Sequence, residues 1–189
     1  KDNPSSIFMI SSLYFKSNFS QTSFQPKFIA LNKGLSSHTK VFLTKKSTIS
    51  TQMLEKTSFS SVGMESHLRH TLKDIFLSND QYDISSSVLV TTVPKEMDAI
   101  INLSFGMINS CLVSQDTITQ FAQISAPQLA NLKYLARSKP ILNPIILMPG
   151  NISAVDPNLI TFFNGLSLNP GSKKMLSYLG FDNLKPLSQ

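Results

Sequence analysis

Apolar and polar positions along the chain follow two different periods. From Glu65 to Leu77, the residues Leu68, Leu72, Ile75 and Phe76 fall at i, i+4, i+7 and i+8, which is one face of a helix. Pro94 opens a second helical run, with Met97, Ile100, Ile101 and Leu103 apolar and Gly106 placed to end it as a C-cap. Ser114-Gln115-Asp116 opens a third. Asp156-Pro157 caps a fourth that carries Leu159, Ile160, Phe162, Phe163 and Leu166, and Ser172 to Leu179 forms a last short one before Gly180. Between them lie short β-rich runs at Ile7–Ile10, Lys27–Leu31, Thr39–Thr44, Ser58–Val62, Ile84–Thr91 and Ile108–Val113, with another inside Leu129–Leu135. Ser11 and Ser12 stand as N-caps of a short helix, and Ser50–Lys56 has room for one or two helical turns. Ile141–Met148 is apolar but interrupted by Pro144, which suits an edge or crossing strand. Strands alternating with helices at this spacing predict α/β units on a largely parallel sheet.

Composition narrows the function classes. Hydrophobic residues make up 41% of the 189 and charged residues only 15%, so the chain can bury a core and is not a solvated polyelectrolyte. The formal charge of +6 invites a nucleic-acid reading, but the lysines are scattered. The densest groups are the pairs Lys45-Lys46 and Lys173-Lys174, with no run that would track a phosphate backbone, so no nucleic-acid partner is expected. A mildly positive field fits a small anion better. The single cysteine, Cys111, lies in an apolar segment and reads as a buried, inert thiol. No stretch approaches the apolar length of a membrane span.

The chain carries no Gly-x-Ser-x-Gly elbow, P-loop, Gly-x-Gly-x-x-Gly or His-Glu-x-x-His pattern, and the many serines have no base positioned by sequence, so an enzyme is not expected. His67 and His70 share a helix at a spacing of three, but no third ligand has matching spacing, so no metal and no cofactor are expected.

Over Ser6 to Leu187 the order of segments resembles the type II periplasmic solute-binding proteins, in particular the phosphonate/phosphate branch of ABC-transporter binding proteins. Ser138 to Pro144 is similar to the family's return crossing between lobes, and Lys40 to Lys56 to its outgoing crossing strand and short helix. Asp156 to Leu166 and Ser172 to Asp182 resemble its closing helices, with Met175 to Leu187 matching their ending. Ile7 to Tyr14 resembles the strand and turn that present ligand-facing groups from the first lobe, and Met107 to Thr117 resembles a further segment of the family's sequence pattern.

The resemblance implies an α/β protein of two lobes, the second inserted in the first. Residues 1–46 would form part of lobe one, 47–113 the inserted lobe two, and 114–189 the crossing back with the C-terminal helices. The family's opening strand-helix-strand-helix has no counterpart before Lys1: either the sequence begins within a longer protein, or it is a shortened relative whose incomplete lobe one exposes strand edges that a second copy or a partner protein would cover. The implied function is binding of a small polar or anionic solute outside the cytoplasm, in the periplasm or an equivalent space, for a membrane permease. The implied solute contacts are Ser11, Ser12 and Tyr14 from one lobe and Ser66, His67 and Arg69 from the other, each group opening a helix after a strand. Hinge motion at the crossings would close the lobes on the solute. The family's anion-contacting positions are altered here: a histidine position falls near Glu96, and an acidic one has become Asn109. The alternative is a protein-interaction or assembly component that keeps the scaffold without its solute site.

Overall fold

A computed structural model describes residues 6–12, 14–15, 23–48, 50–150, 157–166 and 168–187. In chain order the strands are β1 (Phe8–Ile10), β2 (Phe24–Leu31), β3 (Ser37–His38), β4 (Lys40–Lys45), β5 (Ser58–Ser61), β6 (Leu89–Thr92), β7 (Ser110–Ser114), β8 (Leu132–Arg137), β9 (Ile141–Leu142), β10 (Ile145–Pro149) and β11 (Asn183–Pro186). The helices are α1 (Glu65–Ser78), α2 (Glu96–Ser104), α3 (Gln115–Leu129), α4 (Pro157–Gly165) and α5 (Pro170–Tyr178), with a 3-10 turn at Thr51–Leu54. The chain forms two compact units: unit 1 holds residues 1–38 and 141–189, and unit 2 holds residues 39–140.

Unit 2 is built on a five-stranded sheet in the order β6-β5-β7-β4-β8. β5 runs parallel to β6 and β7, whereas β4 runs antiparallel to both β7 and β8. Alternation along the central strands sends side chains to two apolar layers. Val41, Leu43, Cys111 and Val113 pack with Ala99, Ile100 and Leu103 of α2 and Ile118 and Phe121 of α3. Phe42, Phe59 and Leu112 pack instead with Leu68, Leu72, Ile75 and Phe76 of α1. The helical stripe expected at Glu65–Leu77 therefore faces one side of the sheet, and α2 and α3 cover the other. α3 is kinked at Ser125 (φ −150°, ψ 73°), two residues before Pro127, whose ring and missing N–H disrupt the helical ladder.

Unit 1 holds a four-stranded sheet, β1-β10-β2-β11, antiparallel at every pairing, and a small β3-β9 pair. Phe28, Ala30, Ile146 and Met148 face Leu166, Leu176 and the partly buried Phe163, which lie in and around α4 and α5. Phe24, Ile29, Ile145 and Leu147 form the opposite layer. α5 is capped by Asn169, whose side-chain oxygen accepts from the Gly171 and Ser172 amides, and Gly180 ends it with φ +82°. The buried Asn143 donates to the carbonyls of Ala30 and Leu35 at 3.0 and 2.8 Å. Its amide nitrogen being spent there, His38 Nδ1 donates to Asn143 Oδ1 at 2.8 Å.

Several expectations are corrected. The sheets are not largely parallel: among the described residues the parallel pairings are those of β5 with β6 and β7, and unit 1's four-stranded sheet has none. β10 is not an edge strand but lies between β1 and β2. Pro144 sits just before it, where its missing N–H costs no ladder bond, and its carbonyl accepts from Ala30 N–H at 2.9 Å. The strand expected at Ile84–Thr91 begins only at Leu89, because Ser85 N–H bonds the Asp83 carboxylate and Ser87 N–H bonds the Ile84 carbonyl, closing a turn. The unit boundaries fall at 38/39 and 140/141 rather than at 46/47 and 113/114. β4 is zipped between β7 and β8, so Lys40–Lys45, α3 and the Leu132–Arg137 strand all belong to unit 2. The expected Asp156 cap lies outside the described residues.

Candidate functional site

The parallel part of the unit 2 sheet sets where chemistry can gather. β5, β6 and β7 share one direction, and each runs from its carboxyl end into a helix: β5 into α1, β6 into α2, β7 into α3. Three helix N-termini, with their positive dipole ends, thus meet at one edge of unit 2. In open α/β sheets this edge is where ligands bind. The N-cap positions of α1 and α2 are Met64 and Lys95, and neither side chain accepts a capping hydrogen bond. The α3 start is different: Ser114 caps it and accepts from Thr117 N–H at 3.2 Å.

Glu96, the first residue of α2, reaches across to the α3 start. Its Oε2 accepts from Ser114 N–H at 2.7 Å, Ser114 Oγ at 2.6 Å and Thr117 Oγ1 at 2.7 Å. Its Oε1 accepts from Lys40 Nζ of β4, an ion pair whose two side chains are only 18% and 16% exposed. Burial alone pushes the Glu96 carboxyl up. The Lys40 charge and hydrogen bond, aided by Ser114 and Thr117, outweigh it and hold the group at about 2. Glu96 is therefore a fixed carboxylate at neutral pH.

The residues expected from sequence fall three in each unit. In unit 1, Ser11 Oγ accepts from Tyr14 N–H at 3.1 Å, and Ser12 Oγ donates to the Leu142 carbonyl at 2.8 Å. In unit 2, Ser66, His67 and Arg69 share the start of α1, with Ser66 exposed and the other two half-buried. Arg69 fastens that start. Its Nε and Nη2 donate to Glu65 Oε1 at 2.9 and 2.7 Å, and its Nη1 donates to the Ser85 carbonyl at 2.6 Å. Lys40, Ser114 and Thr117 escaped the sequence reading. Their one sequence trace is the Ser-x-x-Thr spacing at the α3 start, an ordinary helix-opening pattern. Neither Lys40 nor Glu96 is near it in the chain.

No cluster of three or more His, Cys, Asp or Glu able to hold a metal exists among the described residues. Nor do the buried serines assemble a site. Ser60 and Ser110 hydroxyls are buried without a hydrogen-bond partner, but the β5–β7 register places Ser60 beside Cys111 and Ser110 beside Phe59, on opposite faces of the sheet. Cys111 itself is fully buried, and its thiol is pushed up by burial first and by the Glu96 charge second. It is expected to resist alkylation by iodoacetamide in the native protein and to react fully in urea. Stoichiometric native labelling by mass spectrometry would show that unit 2 opens around β7.

No family model matches the chain, and no curated protein matches it in sequence. Solved structures do. The binding-protein component of an ABC phosphonate transporter from Pseudomonas aeruginosa matches with a TM-score of 0.62 at 12% identity, covering 96% of this chain and 63% of that one. XAC2383 from Xanthomonas citri, solved bound to chloride ion and to ATP, matches at 0.58 over 87% of this chain, with 15% and 14% identity and 65% and 66% of its own length covered. PhnD1 from Prochlorococcus marinus, in complex with methylphosphonate, matches at 0.50 and 11% identity, over 87% of this chain and 66% of its own length. The chain therefore spans 63% to 66% of the length of these similar structures. The fold expected from the order of segments is the one these neighbours share: the chain has the α/β fold of the type II periplasmic binding proteins.

Proposed function

We propose that this chain is a solute-binding component acting outside the cytoplasm, which takes up a small polar or anionic solute and presents it to a membrane permease. The observation that carries the reading is the start of α1 and α2 at the carboxyl edge of β5 and β6, where neither N-cap side chain occupies the helix amides. Helix N-termini at such an edge suit a polar group of a small ligand. Likeness in fold to binding proteins for phosphonates supports the same role. Ser66 and His67 at the start of α1 are the proposed contacts from unit 2, and Arg69 would keep that turn in place. Within unit 1, Ser11, Ser12 and Tyr14 are the proposed solute contacts. No helix among the described residues is long and apolar enough to cross a membrane.

The test is a thermal-shift screen of the whole chain against phosphate, methylphosphonate, small carboxylates, amino acids and neutral polar solutes. A saturable rise in melting temperature with one class supports the reading, because a ligand that binds only the folded state stabilises it by mass action. A flat response to every class at millimolar concentration would favour an assembly component instead. The engagement of Ser11, Ser12 and Arg69 in bonds within the chain speaks for that second reading.

A further inference from the structure

Lys40, Ser114 and Thr117 form an anion-recognition set whose anion belongs to the chain. Lys40 supplies a charge, Ser114 an N–H and a hydroxyl, and Thr117 a second hydroxyl, and all four donors end on the two oxygens of Glu96. These are the charge-assisted donors with which proteins hold a free carboxylate or phosphate. Three of them come from the N-cap and first turn of α3, and the fourth, the charge, comes from Lys40 of β4, a separate strand, so the set is more than one helix end. With both charged side chains less than one fifth exposed, an external ion reaches little of either.

We propose that Glu96 is a tethered anion that fills this seat and bars free oxyanions from it. Resting on the solute-binding reading, this narrows the solute class. A phosphate, phosphonate or carboxylate head group finds the Lys40 seat taken, and a head group bound at this edge is neutral and polar. Asp98 and Asp116 in the first turns of α2 and α3 add negative charge at the same edge and act in the same direction, while Glu65 at the α1 start is paired with Arg69.

The experiment empties the seat. Glu96→Ala is expected to lower the melting temperature, and acetate is expected to restore most of the loss saturably, while acetamide is not. The double variant Lys40→Met/Glu96→Ala is expected to show no acetate recovery. Should Glu96→Ala be unfolded at rest, the same comparison is read as recovery of native circular dichroism on adding acetate. Equal recovery of both variants, or of neither, overturns the tethered anion. In the parent chain, acetate, phosphate and methylphosphonate are expected to give no saturable shift that Lys40→Met removes. A Lys40-dependent shift with any of them sinks the exclusion and leaves solute binding standing. Acetate rescue of Glu96→Ala alongside a parent chain silent to every solute class keeps the tethered anion and removes the solute-binding reading.

Discussion

Truncating Phe42 to alanine is expected to destabilise unit 2 by about 3–5 kcal/mol, the range for deleting a large buried aromatic. Phe42 is fully buried at the centre of β4, one strand in from the β8 edge. It stacks on Phe59 of β5 with ring centroids 5.9 Å apart and planes 11° off parallel. It also meets Phe76 of α1 edge-on at 5.1 Å and 74°. The deletion therefore removes the contact that joins two strands to the covering helix, and close-packed neighbours relax only in part around the void. Urea unfolding followed by circular dichroism measures the loss. Met53→Ala, at a side chain 56% exposed, is the control and is expected to stay within about 0.5 kcal/mol of the parent. A Phe42→Ala midpoint equal to that control would mean that this aromatic triad does not hold the layer together.

That core was legible in the sequence, and the reason is periodicity. Leu68, Leu72, Ile75 and Phe76 announce α1 because a helix buried on one face repeats its apolar residues. Strand direction was not legible, since a buried run such as Ile145–Met148 reads the same whether its neighbours run parallel or antiparallel. Pro144 pointed to an edge, yet a proline one residue before a strand leaves the ladder intact, and only the paired partner reveals that. The unit boundary was missed for a related reason. Lys40–Lys45 looked like a strand on its way out of one lobe, and its place between β7 and β8 depends on residues far along the chain. Ser66, His67 and Arg69 were correctly read as the opening of a helix after a strand, but not the bonds that Arg69 makes with Ser85 and Val88, beyond that helix. Glu96 drew notice as a carboxylate at an anion-contacting position. Its balance of charge lies with Lys40, 56 positions earlier, which no local pattern encodes.

The largest pH effect follows from that pair. Lys40→Met is expected to cost about 3–5 kcal/mol at neutral pH, because it leaves a buried carboxylate with hydroxyl and amide donors but no opposing charge. The sign with pH is set by the depressed carboxyl, which moves from 4.5 to about 2 on folding. A group so depressed gives its stability in full above its unfolded value and loses it as pH falls through the folded one, here between roughly pH 5 and pH 2. A displacement of that size corresponds to stabilisation on the order of 3 kcal/mol at neutral pH. Glu96→Gln, which keeps the shape but cannot ionise, is expected to lack this acid-dependent loss. Lys40→Met removes the two largest influences that hold the carboxyl down, so its own loss on acidification is smaller than the parent's. The stability gap between the parent and either variant should therefore be widest near pH 7 and close as pH approaches 2, when a protonated Glu96 no longer needs Lys40. Urea midpoints taken at steps from pH 7 to pH 2.5 read this directly. A gap that stays constant across that range would show that Lys40 and Glu96 are not paired in the folded protein.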